Sequence, residues 1–261
     1  MTPILLIGAG RMGGALVQGW LRAGAFAPSE LLIRDPAPSA EMLASGALID
    51  PDAATIGRAK TLVLVVKPQI WREAAAEVAP LLAADAVIVS IAAGVATAAI
   101  AAAFGGRKVA RVMPTTAAAI GQGTASIYAA DPEARARAHA LMAPIGTIVD
   151  LDDEDLMHAA TAVSGSAPAY FYAFVEALSA AGETVGLSAP QAQTLARATM
   201  SGAAALLAAS GEDPAALRRQ VTSPGGTTEA ALNVLTGGAG LGPLLEAAVA
   251  AATARSRELG K

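Results

Sequence analysis

Short apolar runs alternate with helical patterns over residues 1–150, and this alternation limits the possible folds more than any other feature. The runs are rich in Val, Ile and Leu, and they lie at residues 4–7, 31–33, 61–66, 86–91 and 108–112. Continuous apolar runs indicate strands that are buried on both faces. Strands separated by helices favour a parallel sheet with right-handed crossovers. The sequence therefore predicts a doubly wound parallel sheet.

Strand patterns stop near an acidic run at residues 150–155. That run is either a solvated linker or a cap for a helix start, where negative charge is favourable. Helical patterns follow at residues 156–187, 189–210, 214–221, 227–235 and 241–259. We therefore predict an α/β domain over residues 1–152 and an all-helical domain over residues 153–261.

Composition excludes several classes of protein. The chain has 261 residues, a net charge of −4 and no basic tract, which argues against nucleic acid or an anionic membrane surface as a partner. Cysteine is absent, which excludes disulfides and thiolate chemistry. With only two histidines, we expect no metal site. The sequence begins without a basic, apolar leader, so we expect a cytoplasmic protein.

A glycine motif links the first strand to the first helix. Gly8, Gly10 and Gly13 match G-x-G-x-x-G between a predicted strand and a predicted helix, the context in which this pattern binds dinucleotides. The three glycines allow a tight turn, an approach of the pyrophosphate to the backbone, and close packing of helix on strand. Arg11 and Met12 complete the predicted loop.

The end of the second strand gives conflicting indications of the cofactor. Asp35 lies where an acidic residue would bind the ribose 2′-hydroxyl of NAD. Arg34 and Arg11 would instead suit the 2′-phosphate of NADP. The sequence therefore predicts a nicotinamide dinucleotide and leaves its 2′-substituent open.

A turn rich in Ser, Thr and Gly precedes the helix predicted at residues 227–235. Free backbone N–H groups and the positive end of a helix dipole suit a small anion such as a carboxylate. The alternative is an ordinary turn with a Thr N-cap. The residues in question are Ser223, Gly225, Gly226, Thr227 and Thr228.

The helical half contains few groups for acid–base catalysis. Its only histidine is His158 and its only lysine is Lys261. An enzyme that oxidises an alcohol normally needs such a base to take the hydroxyl proton. An imine that already carries its proton needs only positioning and a hydride, so the composition favours that kind of substrate.

Further stretches follow in the order of one family's motifs. They are V-K-P-Q at residues 66–69, S-I-A-A-G-V at 90–95, R-V-M-P at 111–114, S-G-S-x-P-A-Y at 164–170, S-P-G-G-x-T at 223–228 and R-S-R-E-L at 255–259. Over its full length the chain resembles the pyrroline-5-carboxylate reductases, the enzymes of the last step of proline biosynthesis. It departs from their pattern at Thr115, Thr116 and Ala117, where Asn-Thr-Pro is usual, and at Ala167, where Gly is common.

The resemblance implies hydride transfer from NADP(H), with NAD(H) as the alternative, to the C=N bond of 1-pyrroline-5-carboxylate, giving L-proline. It implies an N-terminal Rossmann-type domain over residues 1–152. Residues 153–261 would bind the cyclic imino acid and form a homodimer or larger homo-oligomer. It adds eight cofactor-binding residues, which are Val66, Lys67, Pro68, Ala92, Ala93, Gly94, Met113 and Pro114.

The turn then receives specific roles. Backbone N–H groups around Ser223, Gly225, Gly226 and Thr227 would hold the substrate carboxylate, and the Thr228 hydroxyl would bind the ring nitrogen. Thr228 and Ser223 are the expected catalytic residues.

Two other functions are open to a chain of this plan. The β-hydroxyacid dehydrogenases resemble it as far as the G-S-x segment, but they place a catalytic lysine one turn further along. Residues 165–172 contain no lysine. A non-enzymatic dinucleotide-sensing regulator would keep Gly8, Gly10 and Gly13 but would not need the turn at residues 222–228.

Overall fold

The computed structural model describes residues 1–259, and the last two residues of the predicted second domain lie outside the described residues. Two compact units are present. Residues 1–165 form the first unit together with the end of the chain from residue 252, and residues 166–251 form the second. The predicted division between residues 152 and 153 lies within the first unit, and as a statement about folding domains it stays a prediction.

An eight-stranded sheet forms the centre of the first unit, in the order β3-β2-β1-β4-β5-β6-β7-β8. The strands are β1 (Ile4–Ile7), β2 (Leu31–Arg34), β3 (Leu48–Ile49), β4 (Thr61–Leu64), β5 (Val87–Ser90), β6 (Val109–Pro114), β7 (Gly123–Tyr128) and β8 (Gly146–Asp150). Strands β1 to β6 are mutually parallel. The predicted doubly wound parallel sheet is therefore confirmed, and strand order reverses between β1 and β4.

Helices join most of these strands. They are α1 (Arg11–Ala23), α2 (Ala40–Leu43), α3 (Ala53–Ile56), α4 (Trp71–Val78), α5 (Thr97–Ala103), α6 (Pro132–Met142) and α7 (Leu156–Ala160). Short 3-10 segments lie at Pro28–Glu30, Thr116–Ile120 and Ala143–Ile145, and a π-helical turn lies at Thr161–Gly165. The helix predicted over residues 156–187 is interrupted by this turn.

One end of the sheet differs from the rest. β7 runs antiparallel to β6, with Val112 opposite Ile127, and β8 runs parallel to β7. The chain passes from β6 to β7 through a short 3-10 segment rather than a crossover helix, so the direction reverses. Helix α6 then carries the chain back between β7 and β8, which therefore run in the same direction.

Apolar cores cover both faces of the sheet. On one face, Trp20 is fully buried, its Nε1 donates to the Leu141 carbonyl at 2.7 Å, and its ring meets Phe26 edge-on. On the other face, Phe104 is fully buried together with Leu62. Because aromatic residues make up only 3% of the chain, most of both cores consists of Val, Ile, Leu and Ala.

The second unit consists of helices, as predicted. They are α8 (Ala167–Thr184), α9 (Ala189–Ser210), α10 (Pro214–Gln220) and α11 (Thr227–Leu235), followed by α12 (Leu241–Leu259), whose last residues belong to the first unit. A Cβ added at Gly182 of α8 would lie 3.2 Å from the Ala192 Cβ of α9, so small residues set this close approach. Within residues 1–259, no helix has the length and apolar character needed to cross a membrane.

Candidate functional site

Five parallel strands end at one edge of the sheet, and each is followed or completed by predicted cofactor-binding residues. Because parallel strands bring their carboxyl ends to the same edge, the sheet gathers these residues, and ligands of such folds bind where strand order reverses. They are Gly8, Gly10, Arg11, Met12 and Gly13 after β1, Arg34 and Asp35 at the end of β2, Val66, Lys67 and Pro68 after β4, Ala92, Ala93 and Gly94 after β5, and Met113 and Pro114 in β6.

The glycine loop has the geometry that a pyrophosphate requires. Gly8 has φ of +92°, and a Cβ there would lie 2.8 Å from the Val65 carbonyl oxygen. A Cβ at Gly13 would overlap the carbonyl oxygen of Gly8, so helix and loop can pack only around a glycine. Gly10 has open space on the side where its Cβ would stand. The loop therefore fits a dinucleotide, whose phosphates would meet the amino end of α1.

Asp35 is tied to the glycine loop. Its Oδ2 accepts a hydrogen bond from the backbone N–H of Ala9 at 2.5 Å, and its Oδ1 accepts one from Ala37 N–H at 2.8 Å. The neighbouring Arg34 guanidinium forms an ion pair with Glu77 on α4. The two residues that give conflicting indications in the sequence thus have different partners in the structure.

The remaining predicted cofactor-binding residues lie at the same edge of the sheet. Val66 lies beside Gly8, Lys67 is exposed, and Ala92 and Gly94 are buried. Thr115, which departs from the family pattern, is buried and its Oγ1 accepts from Thr124 N–H at 3.0 Å. Its hydroxyl therefore anchors the start of β7.

A buried ion pair lies beside the start of α5, the helix that follows β5. Arg111 of β6 is 2% exposed, and its Nη1 lies 3.2 Å from Oε1 of Glu154. Glu154 also accepts from the N–H and the hydroxyl of Thr97, at 2.7 and 2.8 Å, and so caps the first turn of α5. Burial lowers the pKa of the Arg111 guanidinium, and Glu154 opposes that shift. One residue of the acidic run, Glu154, thus caps a helix start, but that of a helix far earlier in the chain.

The predicted substrate turn lies in the second unit, where it opens α11. Gly225 has φ of +69°, its N–H donates to Oε2 of Glu229 at 2.7 Å, and Gly226 N–H donates to the Ser223 carbonyl at 3.0 Å. Among the described residues, no acceptor meets the N–H groups of Thr227 and Thr228 or the hydroxyls of Ser223, Thr227 and Thr228. The turn therefore presents backbone donors and hydroxyls together at a helix amino end.

Two contacts that hold these loops in place are not among the predictions, the bond of Glu229 to Gly225 N–H and the bond of Asp35 to Ala9 N–H. Glu229 is the third residue of α11, the position from which a glutamate commonly reaches back to a helix start, so its role could have been predicted. The bond from Ala9 to Asp35 joins residues 26 positions apart, and no local pattern indicates it.

His158, the only histidine of the predicted helical half, has a structural role. Nδ1 of His158 lies 3.0 Å from the Ser256 hydroxyl of α12. Burial, followed by the charges of Arg111 and Arg257, lowers the pKa of His158. Within residues 1–259, no three acidic or histidine side chains come together as a metal site would require.

A G-x-G-x-x-G loop at the strand-order reversal of a doubly wound sheet defines a Rossmann-type dinucleotide-binding protein, here with a second, helical unit. Two family models match the chain. One, described as pyrroline-5-carboxylate reductase dimerisation, matches residues 154–259, and the other, described as NADP oxidoreductase coenzyme F420-dependent, matches residues 3–94.

Individual proteins match over nearly the whole chain. A pyrroline-5-carboxylate reductase of Pseudomonas aeruginosa is 40% identical over 99% of this chain and 97% of its own length. The solved structure of one from Coxiella burnetii has a TM-score of 0.89 and 31% identity over 100% and 99% of the two chains. That of Plasmodium falciparum pyrroline carboxylate reductase with NADP bound has a TM-score of 0.85 and 25% identity over 100% and 98%. The chain belongs to the pyrroline-5-carboxylate reductase family.

Proposed function

We propose that this protein is an NAD(P)H-dependent oxidoreductase that reduces the C=N bond of 1-pyrroline-5-carboxylate to give L-proline, the last step of proline biosynthesis. The turn at residues 223–228 carries the proposal. It offers unpaired backbone N–H groups and hydroxyls at the start of α11, in a unit that has neither lysine nor histidine between residues 166 and 251. Such a site positions an anionic substrate without a general base.

The first unit holds the cofactor. The loop at Gly8, Gly10 and Gly13 receives the pyrophosphate, and the residues after β4 and β5 and at the end of β6 surround the nicotinamide half. The bound cofactor supplies the hydride. The protein contributes binding, orientation and exclusion of water, which is the usual division between a cofactor and its enzyme.

The second unit holds the substrate. Of the predicted donors around Ser223, Gly225, Gly226 and Thr227, the Gly225 and Gly226 N–H groups already have acceptors within the turn. The N–H groups of Thr227 and Thr228 and the Ser223 hydroxyl therefore bind the carboxylate, with the α11 dipole adding to the attraction. Thr228 is half-buried, and its hydroxyl oxygen accepts a hydrogen bond from the ring nitrogen, which already carries its proton when the hydride reaches the neighbouring carbon. Catalysis thus depends on orientation and on a hydrogen bond at the reacting C=N group.

Replacing Thr228 with Ala tests this assignment. Losing one hydrogen bond to a reacting group costs about 2–4 kcal/mol of barrier, so turnover should fall roughly 10- to 1000-fold. Nicotinamide binding should persist, because Thr228 is outside the cofactor loop. The measurement is steady-state oxidation of NADH and of NADPH with pyrroline-5-carboxylate, alongside a fluorescence titration of each cofactor.

Thr236→Ala is the matched control. Thr236 caps the end of the same helix, and its hydroxyl donates a hydrogen bond to the Leu232 carbonyl at 2.7 Å. Its replacement should leave turnover within about twofold of the wild-type rate. Wild-type turnover in Thr228→Ala would exclude the role given to that hydroxyl. A wild-type protein that binds cofactor but never oxidises it with this imine would favour a regulator, and oxidation of hydroxyacids instead would favour a dehydrogenase.

We also propose a homodimer formed through the helical half. Between residues 166 and 251 only Ser179, Ala192 and Ala196 are buried, while large apolar side chains such as Tyr172 and Val234 are mostly exposed. So little buried surface cannot order five helical segments, and a second copy of the chain would cover them. Light scattering should give at least twice the 25.8 kDa chain mass.

A cytoplasmic location remains a prediction.

A further inference from the structure

Selection between NADH and NADPH depends on the groups that meet the adenosine ribose, and in this fold they follow β2. Asp35 comes directly after the last residue of β2. At that position a carboxylate accepts hydrogen bonds from a free 2′-hydroxyl, whereas a 2′-phosphate needs a cation. The question is therefore which charges the structure places there.

Two backbone N–H groups hold the Asp35 carboxylate in place at this point. Its two oxygens accept from the N–H groups of Ala9 and Ala37, at 2.5 and 2.8 Å. Each carboxylate oxygen has a second acceptor position, so two backbone bonds leave room for ribose hydroxyls. Since Ala9 lies inside the glycine loop, the carboxylate stands beside the cofactor's path.

Cations near Asp35 are matched by further carboxylates. Arg34 forms an ion pair with Glu77. The pairing of β2 with β3 sets Ile33 opposite Ile49, which brings Asp50 next to Arg34 along the sheet edge. Each of these acids reduces the attraction of this edge for a phosphate dianion.

The groove beside the glycine loop also contains as many anionic as cationic side chains. It measures about 500 Å³ and is bordered by the loop, by the start of α1 and by the segment that follows β2. Its charged lining residues are Arg11 and Glu41. The two opposite charges cancel, so the residues that line the groove offer a 2′-phosphate no net positive charge to offset the nearby Asp35 carboxylate.

From this we infer that the protein binds NADH in preference to NADPH, with Asp35 as the residue that determines the choice. The inference rests on the proposed function for its physiological meaning but not for its test. A 2′-phosphate carries a charge of about −1.5 to −2 and would stand against a fixed carboxylate, whereas a 2′-hydroxyl would donate to it.

Binding of two cofactor fragments measures the preference without catalysis. Calorimetric titration of the full-length protein with ADP-ribose and with 2′-phospho-ADP-ribose should give a dissociation constant at least about tenfold lower for ADP-ribose. Asp35→Asn keeps an acceptor for Ala9 N–H but removes the charge, so it should reduce that ratio at least about fivefold. Asp85→Asn, at the opposite edge of the sheet and paired with Lys60, is the matched control and should leave the ratio unchanged.

A second variant tests the same charges without touching the loop. Glu77→Gln releases Arg34, and exposed ion pairs of this kind change affinity about two- to fivefold. We expect tighter binding of 2′-phospho-ADP-ribose and unchanged binding of ADP-ribose. Equal or tighter binding of the phosphorylated fragment by the wild-type protein would overturn the inference. So would an Asp35→Asn variant that weakens both fragments equally, because Asp35 would then only support the loop.

Failure of the proposed function gives a different result. A protein that ignores pyrroline-5-carboxylate would still show the fragment preference if Asp35 acts as inferred. A reductase that oxidises NADPH with a higher kcat/KM than NADH would contradict the inference and leave the reduction of the imine intact.

Discussion

Glu154→Ala should remove a large part of the stability of the first unit, because it leaves a buried cation alone. Three hydrogen bonds are lost, which join the Glu154 carboxylate to Arg111 at 3.2 Å and to the N–H and hydroxyl of Thr97 at 2.7 and 2.8 Å. The Arg111 side chain is 3% exposed, so water cannot replace the missing acceptor. The same change also uncaps the amino end of α5.

The magnitude follows from this burial. Removing one partner of a buried ion pair typically costs about 3–5 kcal/mol. The Glu154 side chain is 23% exposed, so solvent screens part of its charge in the folded protein. We therefore expect a loss near the lower end, about 3 kcal/mol in the free energy of unfolding.

Urea denaturation followed by circular dichroism, at one fixed protein concentration, measures the loss. Asp153→Ala is the matched control, because Asp153 is exposed and its side chain accepts a single hydrogen bond, from Asp155 N–H, and it should cost less than about 1 kcal/mol. Adding Arg111→Met to Glu154→Ala removes the stranded charge. The double variant should therefore be more stable, by about 1 kcal/mol or more, than the sum of the two single losses predicts. A loss below about 1 kcal/mol in Glu154→Ala, or strict additivity in the cycle, would refute the argument.

Two further predictions concern the glycine loop and pH. Gly13→Ala should weaken nicotinamide cofactor binding at least about tenfold in a fluorescence titration, because its Cβ would overlap the Gly8 carbonyl oxygen. Gly14→Ala is the control. Its Cβ would lie 3.8 Å from the Ala9 carbonyl oxygen, so this variant should bind the cofactor normally. For His158, the pKa is lowered in the folded protein, so below about pH 6.5 the unfolded chain takes up the proton first and stability falls. His158→Asn should therefore flatten the loss of unfolding free energy between about pH 6.5 and pH 5, and equal slopes in both proteins would contradict this.

How much of the fold the sequence predicts depends on how each strand is buried. β1, β4 and β5 are buried along their whole length, and their continuous apolar runs are readily recognised. β8 is an edge strand with largely exposed residues, and β3 has only two residues, so neither leaves a clear pattern. β7 contains Gly123 and Ala125, which are residue types depleted in strands, and its pairing with β6 supplies the order that its composition does not.

The candidate site divides in a similar way. Gly8 and Gly13 are predictable because the backbone geometry accepts no other residue, and that demand is local. The partners of Asp35 and Glu154 are not predictable, because each bonds to a backbone N–H more than 20 residues away along the chain. The sequence shows that these residues are acidic, but only the folded chain determines which groups their carboxylates bind.

The scarcity of buried residues between positions 166 and 251 has a consequence for how the protein reaches its native state. Helices that lack a core of their own gain their stability when another chain arrives, so the last stage of folding would be second order in protein. Dilution would then lower the midpoint of thermal unfolding, and low expression would leave a larger fraction of nascent chains open to proteases. The fraction of chains that reach and keep the native state would therefore rise with the concentration of the protein.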